Sequence, residues 1–206
     1  MTRGTHQVAA FAAALGGLAL AHPLLAGPLP DHELPALVTG AAEALGLGAA
    51  RGGMPWPAAT AYLLAALVGG VAPDLDKPRS FWARLLSEGM LGGHRHLSHS
   101  LAGLTLAGAL SWGALALAAS LLTFPAGLLW LGFVAGYLSH LVMDSLTRDG
   151  VPWLYPWRVY LGLPPSPNWR VRTGGRVEQF VVTPGLLTLI GWLGYRQGYL
   201  LTSLWR

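Results

Sequence analysis

His6, Asp74, Asp76, His94, His99, His140 and Asp144 are imidazoles and carboxylates gathered in four short groups. Histidine and carboxylate together are the donor set for a divalent cation. His140 and Asp144 are four apart. On a helix they project from one face, one turn apart, and can converge on one ion. The same spacing also serves a His–Asp pair that bridges two helices. Asp74 and Asp76 stand in Pro73-Asp74-Leu75-Asp76, which reads as ligands, as carboxylates orienting ligand histidines, or as a solvated turn. His94-Arg95-His96-Leu97-Ser98-His99-Ser100 packs three histidines beside an arginine. Such a cluster can also bind anionic lipid or sense pH. The chain has no cysteine, so thiolate sites and disulfides are excluded. The expected cofactor is one or two divalent ions, zinc first, with manganese or iron as alternatives, because seven donors exceed the needs of one ion.

Each group sits at the end of an apolar run. His6 opens the first, roughly 8–25. Asp74 and Asp76 close the second, roughly 58–72. His94, His96 and His99 precede the third, 101–124, which Pro125 breaks. His140 and Asp144 lie at the end of the fourth, 126–142. A fifth run, about 181–201, is weakened by Arg196 and Gln197. Ser98 is placed to cap a helix starting at His99. About 20 apolar residues span a bilayer. The third and fourth runs meet that length, and the second is short. Residues 28–57 suggest a short interfacial or re-entrant helix. Residues 78–92 are amphipathic and suggest a helix lying in the interface. Residues 148–180 mix Trp153, Tyr155, Trp157, Tyr160 and Trp169 with Arg158, Arg170, Arg172 and Arg176, a composition suited to the headgroup level. Arg172-Thr173-Gly174-Gly175-Arg176 reads as a hairpin turn.

Composition agrees with a membrane protein. The 206 residues are 53% hydrophobic and 11% charged, against about 25% charged in a soluble domain. Mean hydropathy is +0.47. The expected fold is all-α: a polytopic bundle of about five transmembrane helices with interfacial amphipathic helices and a short hairpin-like polar segment. One domain, 1–206, is expected. The net charge of +4 comes from dispersed arginines, which favours juxtamembrane anchoring over nucleic acid. Five crossings place Arg3, Lys77, Arg79, Arg84, Arg95, Arg148, Arg158, Arg170, Arg172 and Arg176 on one side, with Arg51 and Arg206 opposite. The positive-inside rule makes the first side cytoplasmic. All four ligand groups fall there, while His22 and His32 do not. Ala19-Leu20-Ala21 mimics a signal-peptide cleavage site, but cleavage would remove His6, so retention is expected.

These motifs together resemble the YdjM-type family of inner-membrane-associated metal-dependent hydrolases. The resemblance rests on Thr5-His6, Pro73-Asp74-Leu75-Asp76, His94-Arg95 with Ser98-His99-Ser100, and Gly136-Tyr137 through Ser139-His140 to Asp144-Ser145-Leu146-Thr147. It continues into Gly150-Val151 and the stretch from Trp153 to Trp157, covering about residues 5–182. His96 stands where the family pattern carries a small residue, which leaves it outside the expected ligands. The His-x-x-x-Asp spacing is also similar to that of zinc phospholipase C and nuclease-type phosphoesterases.

The expected function is hydrolysis of a phosphoester on a lipid or other amphiphile at the cytoplasmic face of the inner membrane. His6, Asp74, Asp76, His94, His99, His140 and Asp144 would hold the metal or orient its ligands. Arg95 would steady a phosphate oxygen, with help from Lys77. Glu178 would be a ligand or the general base, against a solvated-turn reading. The expected partners are membrane lipids and a lipid or phosphorylated small-molecule substrate, with no nucleic acid. No His-Glu-x-x-His occurs, which disfavours a metalloprotease. The rivals are a metal-ion transporter and a metal-stabilised scaffold or regulatory protein.

Overall fold

The computed structural model describes residues 1–26, 56–76, 97–122, 125–157 and 159–196. The interfacial helices expected in 28–57 and 78–92 lie outside the described residues, apart from the start of the second helix at Trp56. Five α-helices are described: α1 Arg3–Ala26, α2 Trp56–Val71, α3 Leu101–Leu117, α4 Ala126–Ser145 and α5 Thr183–Arg196. Among the described residues there is no strand, only two isolated bridges, Thr147 with Val171 and Val151 with Leu161.

α2 and α4 form the central pair. α1 packs on both, α5 packs on α1, and α3 packs on α4. Small residues set the spacing at the centre. A Cβ on Gly136 would land on the Ala66 carbonyl, and one on Gly69 would land on the Phe133 carbonyl. The two backbones therefore touch along a glycine seam, the arrangement that lets apolar helices pack closely without a hydrophobic driving force. Ala14, Ala58, Tyr62, Ala66 and Leu128 pack together beside the seam. The outer faces are apolar: Leu110 is 66% exposed and Leu117 89% exposed, as befits helices solvated by lipid.

The apolar stretches Ala58–Leu75 and Ala126–Ser145 are long enough to cross a membrane. The second run thus gains length from the 3₁₀ turn Ala72–Asp76 that continues α2. The third run departs from expectation. α3 has 17 residues, about 26 Å at 1.5 Å per residue, against roughly 30 Å of hydrocarbon. It stops at Leu117 and is followed by a 3₁₀ turn, Ala119–Leu121. Pro125 stands at the N-terminal boundary of α4, as its fixed φ predicts.

Ser100, not Ser98, caps α3. The Ser100 hydroxyl accepts from the Gly103 amide at 3.1 Å and donates to the Leu97 carbonyl at 2.6 Å. The helix therefore begins two residues later than the sequence suggested. Ser100→Ala is expected to cost about 1 kcal/mol, read as a lower melting temperature of the detergent-solubilised protein.

The segment between α4 and α5 folds back on the end of α4. Leu163 N–H donates to the Ser145 carbonyl, and Val171 N–H donates to the Leu146 carbonyl. Trp153 Nε1 donates to Ser145 Oγ at 2.9 Å. Arg170 pins the return: its guanidinium donates to the Pro164 and Pro165 carbonyls, each at 2.6 Å. The expected hairpin at 172–176 is a turn without flanking strands. Gly175 N–H donates to the Arg172 carbonyl, and Gly174 has φ +71°, a conformation that favours glycine. The turn runs into a π-helical turn, Glu178–Val182, and then into α5, so helix propagation replaces a second strand.

Candidate metal centre

The first turn of α1, the turn after α2, the turn before α3 and the last turns of α4 meet at one place. They bring together His6, Asp74, His99, His140 and Asp144, all buried. Two overlapping groups have the makings of a cation site: His6, His140 and Asp144, and Asp74, His99 and His140.

The distances separate hydrogen bonds from shared coordination. His99 Nε2 lies 3.7 Å from Asp74 Oδ1 and 3.6 Å from Asp144 Oδ2. His140 Nε2 lies 3.8 Å from Asp74 Oδ1 and 3.7 Å from Asp144 Oδ2. These gaps are too long for good hydrogen bonds. They lie near the roughly 3.4 Å edge of a tetrahedron whose corners are about 2.1 Å from a central zinc. The four imidazole–carboxylate edges between donors from three helix ends are thus of a size and chemistry suited to one divalent ion.

The surrounding groups orient these donors. His140 Nδ1 is 2.8 Å from the Gly70 carbonyl. A carbonyl only accepts, so Nδ1 carries the proton and Nε2 presents its lone pair to the cradle. His140 Nε2 has no hydrogen-bond partner among the described residues, the state expected of a ligand nitrogen. His99 Nδ1 pairs with Ser98 Oγ at 2.9 Å. Tyr137 Oη donates to the Ser98 carbonyl and steadies that turn. Asp144 faces two ways. Its Oδ1 accepts from the Met1 amino group at 2.9 Å and lies 3.1 Å from His6 Nε2, while Oδ2 faces the cradle. The His6 and His140 rings stack with centroids 3.8 Å apart.

Most of the other sequence candidates fall outside the described residues. Asp76 ends the 3₁₀ turn after α2, and its side chain lies outside the described residues, as do His94, Arg95, His96, Lys77 and Arg158. Glu178 is buried but belongs to neither ligand group. Its carboxylate accepts from Thr2 N–H and Thr5 Oγ1, each at 2.6 Å, and from Gly174 N–H at 2.8 Å. Burial alone would raise its pKa. The bonds from Thr5, Thr2 and Gly174 prevail and hold the carboxyl below the usual range. Gly70 was not among the sequence candidates, because its role is that of a backbone carbonyl.

Known proteins with similar sequences share this membrane setting. The family model described as YdjM inner membrane protein matches residues 1–200. Inner membrane protein YdjM of Escherichia coli (strain K12) is 35% identical over 126 residues, covering 53% of this chain and 55% of that protein. The Shigella flexneri protein of the same name matches with the same identity and coverage. The chain thus spans about half the length of the curated relatives it matches. No solved structure matches. Because the family match runs through all the described helices and every residue of the cradle, the chain belongs to the YdjM inner membrane protein family.

Proposed function

We propose that the protein is a metal-dependent phosphoester hydrolase of the inner membrane, acting at the cytoplasmic face on a lipid or other amphiphilic substrate. The observation that carries this reading is the buried cradle of Asp74 Oδ1, His99 Nε2, His140 Nε2 and Asp144 Oδ2, spaced 3.6–3.8 Å across its four His–Asp edges. A divalent ion, zinc first, would supply Lewis acidity at a phosphoryl oxygen and a hydroxide nucleophile near neutral pH.

The chain's own residues do the rest. The Gly70 carbonyl fixes the His140 tautomer. His6 holds one oxygen of Asp144 while the other faces the cradle. Arg95, two residues before the turn that carries His99, supplies a planar fork for phosphate. Arg148, Arg172 and Arg176 are exposed in the segment between two apolar helices, alongside Trp157 and Trp169. Arginine beside tryptophan at that position suits a lipid headgroup surface. The bundle crosses the membrane five times, with the shorter α3 accommodated by local thinning.

The ligands occupy helix ends: His6 in the first turn of α1, Asp74 after α2, His99 before α3, and Asp144 next to the last residue of α4. Transporters commonly place their ion sites near the midplane, so this arrangement favours surface chemistry over ion passage.

The test is phosphate release by the purified protein in proteoliposomes, from a lipid phosphomonoester and from a soluble nucleotide. Lipid phosphate release is expected with added zinc or manganese, and none is expected from Asp144→Ala protein of unchanged helicity. Zinc flux into the vesicles without hydrolysis would favour the transporter instead.

A further inference from the structure

Glu178 is the buried acid that the proposed chemistry leaves unused. It is fully buried, and its Oε1 is held at the start of α1. The Thr2 amide and the Thr5 hydroxyl both donate to its Oε1. The first amides of a helix lack intrahelical acceptors and carry partial positive charge, so a carboxylate there is doubly favourable. This acid comes from 176 residues away along the chain. It is held in turn by the Gly174 amide on Oε2, in the turn whose glycine has positive φ. His6 follows Thr5 directly, and His6 Nε2 lies 3.1 Å from Asp144 Oδ1. A continuous path therefore runs from the Gly174 turn through Glu178 and the first turn of α1 to His6 and Asp144. The π-helical turn Glu178–Val182 starts at the acid itself, and such turns recur at functional sites.

We infer that Glu178 is a positioning residue of the metal centre: it anchors the start of α1 so that His6 holds Asp144 with Oδ2 turned into the cradle. This rests on the metal reading of the cradle. Glutamine at 178 keeps the shape but replaces one acceptor oxygen with a donor, so either the Gly174 amide or the Thr2–Thr5 pair loses its partner. His6 then loses its fixed position, and Asp144 is freer to turn.

The experiment measures zinc dissociation constants by chelator competition on the full-length protein in detergent. The variants are Glu178→Gln, Thr5→Val, His6→Ala and the double variant His6→Ala with Glu178→Gln. Loss of an orienting partner weakens metal binding about 10- to 100-fold. Glu178→Gln and His6→Ala are each expected to weaken zinc binding at least about tenfold. The double variant is expected to bind no more weakly than His6→Ala alone, because the effect of Glu178 passes through His6. Unchanged zinc binding in Glu178→Gln protein, even with a lower melting temperature, would make the residue merely structural and overturn the inference. Losses that multiply in the double variant would overturn it too. If Glu178→Gln protein does not fold, Thr5→Val carries the same test: a weaker zinc affinity that vanishes as an effect in the His6→Ala background supports the inference, and no effect overturns it. A native protein that binds no zinc would refute the metal reading itself, an outcome distinct from native binding with an indifferent Glu178.

Discussion

His140→Ala protein is expected to keep its helices and to lose metal affinity by more than about 100-fold, with hydrolysis falling to background. Removing an orienting partner alone typically costs 10- to 100-fold, and His140 is itself a donor. It belongs to both potential ligand groups, and its Nε2 edges the cradle toward Asp74 and Asp144 at 3.8 and 3.7 Å. The fold should survive because the α2–α4 contact rests chiefly on the glycine seam, to which the His140–Gly70 hydrogen bond adds a single link. Chelator-competition titration beside circular dichroism checks both halves. Equal zinc affinity in the variant would remove His140 from the ligand set.

Gly136→Val is expected to be the most damaging substitution in the helical core. The first added carbon already meets the Ala66 carbonyl, and backbone cannot swing aside as a side chain can. Overpacking ordinarily costs 1–3 kcal/mol; with two helix backbones in contact, a loss of roughly 3 kcal/mol or more follows. The site should suffer with the fold. Gly136 is one turn before His140, and Ala66 is one turn before Gly70, so spreading the seam pulls the Gly70 carbonyl from His140 Nδ1. Even Gly136→Ala should therefore weaken zinc binding as well as lower the melting temperature. The monodisperse yield and melting temperature of each variant, with the zinc affinity of the folded fraction, check this. A Gly136→Val protein of native stability would mean that the two helices do not touch there.

The residues that meet at the cradle were legible because their types and positions are local signals. His140 and Asp144 share a helix face by spacing alone, and the ends of the apolar runs that carry His6, Asp74 and His99 do come together. What linear pattern could not show was set by groups distant in sequence or by the backbone. Glu178 reads in isolation as a ligand, a base or a solvated acid, because its partners Thr2 and Thr5 lie 176 and 173 residues away. The Gly70 carbonyl carries no residue-type signal. Ser98 and Ser100 are equally good caps for α3 by type, and only the turn from Leu97 to Ser100 decides between them. The composition of 148–180 signals a headgroup-level segment but not the fold-back of 146–171, whose ladder-like bonds join irregular chain with neither helical nor strand periodicity.

The central claim is that the cradle of Asp74, His99, His140 and Asp144 holds a divalent ion. Elemental analysis of protein purified without chelators, followed by zinc, manganese and iron titration of the stripped protein, tests it most directly. One or two ions per chain, zinc foremost, with tight rebinding that Asp144→Ala abolishes, is the expected result. Protein that carries no metal and takes up none of the three ions would contradict the claim.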